Sequence, residues 1–163
     1  MKWEWWRDSR TRLVSSACAG LALLVPLSSC VSDVDVTVEE QVLWEADLTG
    51  GLDHPGVTGS AAAVSTSNLT EAGIEVVGLQ PGVYAWRIRE ANCGDPGQGV
   101  GGPGQYPELV VEESGSGDNP PDLEASSETA PFRASMAPEG AYHAEVTDAD
   151  SGERVACGEF DRR

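Results

Sequence analysis

The chain has 163 residues and a formal net charge of −17, from ten basic residues against 27 acidic ones. That length holds one domain with a real core. A surface so acidic repels phosphate backbones and anionic headgroups, which excludes nucleic acid and a purely electrostatic hold on a membrane.

Lys2, Arg7, Arg10 and Arg12 form a positive n-region, and "LVSSACAGLALLVPL", Leu13 to Leu27, is an apolar run too short to span a bilayer comfortably. "LSSC" follows, and Ser28 and Ser29 ahead of Cys30 resemble the lipobox of bacterial lipoproteins. The resemblance implies a signal peptide over 1–29, cleavage before Cys30, and a diacylglyceryl group on its sulfur. Residues 30–41 then form a lipidated N-terminus and short lead-in. An ordinary secretory peptide cut nearby is the alternative. The expected place is the bacterial cell envelope, outside the cytoplasm, with the membrane as partner through Cys30; Val31 in place of Asp favours the outer membrane. Removing 1–29 takes away four basic and two acidic residues, leaving six arginines against 25 carboxylates, a net −19. Solubility is the plain reading of that charge.

The lead-in "VSDVDVTVEEQ" alternates at Val34, Val36 and Val38 and reads as a possible first strand. Beyond it, short extended segments separated by Gly, Pro, Asn and Asp clusters predict an all-β domain over 42–163. The predicted strands are Gln41 to Leu48, Ser60 to Thr66, Glu71 to Leu79, Val83 to Arg89, Leu109 to Glu113, Leu123 to Ser127, Phe132 to Met136, Ala141 to Thr147 and Glu153 to Phe160, with nine as an upper count. "GLDHPGVTG", "LQPGV" and "DADSGE" read as turns, and "CGDPGQGVGGPGQYP" and "ESGSGDNPPD" as loops. Alternation turns Tyr84, Trp86 and Ile88 inward and Ala85, Arg87 and Arg89 outward. It likewise turns Tyr142, Ala144 and Val146 inward, with His143, Glu145 and Thr147 outward.

Of the four cysteines, Cys18 leaves with the signal and Cys30 is consumed by lipid, so Cys93 and Cys157 remain as an even pair. In an exported domain such a pair suggests a disulfide, which by loop entropy stabilises the fold by about 4 kcal/mol.

"GLQPGVYAWRIREANC" with its Gly-rich continuation, and "VTDADSGERVACGEF", resemble the Cu,Zn superoxide dismutase family from about Ser60 to Phe160. The resemblance implies a Greek-key β-sandwich or barrel, and it pairs Cys93 with Cys157. In that family the strand after the Gly-Leu-x-Pro-Gly turn has the form H-x-H-E, its histidines binding copper. Here the strand reads Trp86-Arg87-Ile88-Arg89-Glu90, and the family's third copper histidine maps to Thr147. The bridging loop, Gly94 to Pro107, holds no histidine. Guanidinium is permanently cationic and offers no lone pair, so two arginines repel a divalent ion where imidazoles would bind it. The expectation is a scaffold with no cofactor, no metal and no catalytic residues, in a structural or binding role.

Two other readings stand beside it. One is a superoxide dismutase-like enzyme with unmapped ligands. The other is an anion-binding module in which Arg87 and Arg89 grip a carboxylate or sulfate; against that module stands an ordinary salt-bridge patch, with Glu145 and Glu75 as partners. His54, in a turn, and His143 read as lone surface residues. "DADSGE" begins like a calcium loop but lacks the later glutamate, so it reads as a hairpin turn. Gly97, Gly99 and Gly102 make a coincidental G-x-G-x-x-G that opens no helix.

Overall fold

A computed structural model describes residues 41–102, 104–112 and 123–163. The signal segment, Cys30, the lead-in strand and the loop "ESGSGDNPPD" lie outside the described residues. The domain is all-β, as expected: β1 (Val42–Gly50), β2 (Thr58–Ser65), β3 (Leu69–Val77), β4 (Gly82–Glu90), β5 (Leu109–Val111), β6 (Glu124–Glu128), β7 (Phe132–Arg133), β8 (Tyr142–Asp148), β9 (Arg154–Glu159) and β10 (Asp161–Arg162).

These strands form one antiparallel sheet in the order β5-β4-β8-β9-β1-β2-β3-β6, with β10 on β1 and β7 on β3. The sheet curls until β5 and β6 approach each other, making a nearly closed barrel. Along β1 the burial alternates strictly from Val42 to Leu48, the period-two signature of a wall with one wet face. Trp44, Leu48, Ile74, Val76, Ile88, Leu109, Met136, Val146 and Val155 fill the interior and are all at most 2% exposed.

The seam between the end strands has no ladder. It is joined through the carbonyl of Pro107, which accepts from Trp86 Nε1 at 2.9 Å and from Ser127 Oγ at 3.0 Å. Tyr106 lies beside it, edge-on to Trp86 (centroids 4.9 Å apart) and to Phe132 (5.5 Å). One end of the barrel is stopped by the four-residue passage from β3 to β4, where Leu79 is buried. Gly78 makes that passage possible: its φ is +85°, and a Cβ there would lie 2.3 Å from the carbonyl oxygen of Gly56.

Several expected elements differ in extent. The run from Phe132 to Met136 is a strand only over its first two residues, because Ala134 N turns back to Phe132 O and Thr70 Oγ1 takes the Ala134 carbonyl. The run from Leu109 stops at Val111. The tenth strand, Asp161–Arg162, was not expected, since a bare Asp-Arg pair carries no pattern; Arg162 lies opposite Trp44 because the chain returns alongside β1.

Candidate functional site

β4, β8 and β9 lie side by side, and their register stacks outward residues in rows. Arg89 faces His143, which faces Glu159; Arg87 faces Glu145, which faces Cys157; Ala85 faces Thr147, which faces Arg154. The inward residues Tyr84, Trp86 and Ile88, and Tyr142, Ala144 and Val146, are buried as the alternation predicts. Every mapped metal-ligand position therefore sits on one outer face, together with Cys157.

The chain after β4 folds back over this face. Glu90 N donates to Gln98 O and Ala91 N to Ala141 O, each at 2.8 Å. The disulfide Cys93–Cys157, with Cα atoms 6.0 Å apart, ties the loop down onto β9. Cys93 N reaches Glu159 Oε1 at 3.3 Å. Arg89 lies beneath: its Nε donates to Glu145 Oε1 at 2.8 Å and its Nη1 to Gly97 O at 2.8 Å. The two side chains are only 24% and 12% exposed, so the pair is screened little by water. Gly97 has no room for a side chain, for a Cβ there would overlap the Glu90 carbonyl oxygen.

His143 corrects the expectation of a surface histidine. It is on the outer face, as its parity requires, yet it is 0% exposed because the loop covers it. Its Nδ1 lies 2.8 Å from Ala91 O. A carbonyl only accepts, so Nδ1 carries the proton and Nε2 is the bare nitrogen. That Nε2 is buried with no hydrogen-bond partner among the described residues. Ala91 itself holds a φ of +98°, a region that side-chain-bearing residues rarely adopt, at a cost of about 1–3 kcal/mol. Sequence alternation alone could not reveal this lid. The signal that could is the cysteine pairing: Cys93 comes four residues after Arg89, and Cys157 stands on β9 opposite Glu145 of β8, so bonding them draws the loop over β8.

Of the salt-bridge partners expected for the arginines, Glu145 binds Arg89. Glu75 does not face either arginine: it lies on β3, between Ser60 and Ser126, and β3 does not adjoin β4. Arg87 is exposed and has no ion partner among the described residues. Thr147 Oγ1 makes only a long contact, 3.5 Å, to Ala85 O. The copper and zinc that the family resemblance implies do not fit these donors: Arg87, Arg89 and Thr147 offer no imidazole, and His143, with Nδ1 taken by Ala91 O, leaves one nitrogen where either metal needs several ligands.

At the barrel mouth, a hollow of about 570 Å³ is lined by His54, Leu79, Tyr84, Asp148 and Glu153, among others. His54 Nε2 approaches Glu153 Oε1 at 3.5 Å without hydrogen-bond geometry. Asp148 Oδ1 accepts from Ser151 N, Ser151 Oγ and Asp150 N, at 2.7, 2.7 and 3.2 Å. The Ser151 backbone donor first, then its hydroxyl, hold the Asp148 carboxyl below its usual range. "DADSGE" is thus a hairpin turn between β8 and β9, with Gly152 at φ +70°. No group of three or more His, Cys, Asp or Glu among the described residues is arranged to hold a metal ion.

Comparison of the chain with family models, with curated proteins and with solved structures finds no match to any of them.

Proposed function

We propose that this chain is a lipid-anchored, extracytoplasmic module with a structural or binding role, built on a scaffold of the Cu,Zn superoxide dismutase type that lacks the metals. The observation that carries it is Arg89. At a position where the resembled family has a copper ligand stands a guanidinium whose Nε donates to Glu145 and whose Nη1 donates to the Gly97 carbonyl. A cation so placed stabilises the loop above it and repels a second cation. The same pairing weakens the anion-gripping alternative, which needs Arg87 and Arg89 together and is left with Arg87. Anchoring rests on "LSSC" and on the apolar run before it, with Cys30 as the lipid carrier. Two acyl chains hold a protein stably at a membrane where one does so only marginally.

Metal analysis of the purified chain tests the site: the expected content is far below one copper or zinc per molecule, and stoichiometric metal with rapid superoxide removal would overturn the reading. Mass spectrometry of the N-terminal peptide tests the anchor. A diacylglyceryl adduct on Cys30, abolished in Cys30→Ala with release of the protein from membranes, is the expected result.

A further inference from the structure

We propose that Cys93–Cys157 is a thiol–disulfide exchange site, at which a dithiol unlatches the 91–98 loop and uncovers His143. Access comes first. The half-buried disulfide borders a hollow of about 210 Å³ whose walls include Thr49, Gly50, Gly51 and Arg154. Arg154 is exposed and has no ion partner among the described residues. The attacking species in such exchange is a thiolate, and a neighbouring cation favours it. In so acidic a protein, a guanidinium lining that hollow without an ion partner among the described residues draws an anionic sulfur toward the disulfide.

The second observation is the bias already held in the loop. Ala91, two residues before Cys93, keeps a φ of +98°, a conformation that persists only while its surroundings impose it. The covalent tie is the strongest of those impositions. The others are hydrogen bonds: Ala91 N to Ala141 O, Glu90 N to Gln98 O, Arg89 to Gly97 O, Cys93 N to Glu159, and His143 to Ala91 O. The third observation is what the loop hides, an imidazole with one bare, buried nitrogen.

In the reaction, a thiolate of the dithiol attacks one cysteine sulfur, the S–S bond breaks, and the other sulfur leaves as a thiolate that takes up a proton. The second thiol of the reagent then attacks the mixed disulfide. This frees the remaining cysteine and closes the reagent into a cyclic disulfide, so two electrons and two protons pass to the protein. With the tie gone, Ala91 relaxes to ordinary backbone, the loop lifts, and His143 Nε2 meets water. The barrel strands stay paired. The proposal needs only the folded domain and is independent of Cys30 and of the metal-free reading.

The test is titration of the full chain with dithiothreitol, following hydrogen–deuterium exchange at the C2 position of both histidines by mass spectrometry, free thiols by colorimetry, and far-ultraviolet circular dichroism. His143 should exchange at least about tenfold faster in the reduced chain, while His54, one-third exposed already, changes less than about twofold and the β signal persists. Arg154→Gln should slow reduction by about threefold or more. Ala91→Gly, which removes the imposed conformation, should shrink the gain at His143. Continued protection of His143 after complete thiol release overturns the proposal. So does loss of the β signal together with acceleration at both histidines, since that is global unfolding.

Discussion

The outer faces of β1 and of β4, β8 and β9 belong to one barrel wall, but among the described residues it is the second that a loop roofs. On the first, Leu43, Glu45, Asp47 and Thr49 alternate with buried partners and stand in water. On the second, parity sends His143 outward in the same way, and it is nonetheless fully buried. The difference teaches that a strand's alternation fixes which side a residue occupies, whereas its exposure is decided by distant chain that lies across that side.

Cutting the roof loose should have the largest effect. Cys157→Ser or Cys93→Ser is expected to lower stability by about 4 kcal/mol, read as a drop in the urea midpoint, and an unchanged midpoint would mean the roof is not held by its covalent tie. Next come two ion pairs of nearly equal length in the two regions. Arg89–Glu145, at 2.8 Å, is mostly buried, while Arg163–Glu45, at 2.9 Å, has side chains 61% and 49% exposed. Glu145→Gln should cost about 1.5–3 kcal/mol and Glu45→Gln at most about 0.5 kcal/mol. Equal losses would erase the distinction between roofed and open faces.

A smaller change should go the other way. Ala91→Gly relieves the positive φ but adds freedom to the unfolded chain, for a net gain of about 1 kcal/mol in chemical denaturation. The smallest effect near neutrality concerns Tyr106, whose hydroxyl donates to Val100 O at 2.7 Å. Burial pushes its pKa up to about 12. The unfolded chain ionises this phenol from about pH 10 while the native one keeps it protonated, so its contribution is whole below pH 10 and is lost as pH rises through about 12. Melting temperature measured from pH 9 to 11.5 should fall less steeply in Tyr106→Phe than in the parent chain.

Much of the wall was legible beforehand because it obeys a local rule. Tyr84, Trp86 and Ile88 lie inside and Arg87 and Arg89 outside, as period two demands, and Cys93 is bonded to Cys157 as the count of cysteines suggests. Glu145 as a partner of Arg89 followed from the same reasoning. Glu75 did not, because strand adjacency is a property of the whole sheet, and a run of residues says nothing of which other run lies beside it. The extra strand at Asp161 and the shortened one at Phe132 failed for a related cause: the first is imposed by a neighbour, and the second is ended by a turn that Thr70 stabilises from another strand. His143 combines both lessons, a residue correctly assigned to its face and wrongly assigned to solvent.

The Pro107 carbonyl takes one donor from each bank of the seam, Trp86 on one side and Ser127 on the other, and so works like a button on a garment. Unfastened at Ser127, two strand margins that share no ladder would be free to part, and an open strand margin is a template onto which another polypeptide can add. Holding those margins together is work for a hydroxyl that has nothing to do with ligands.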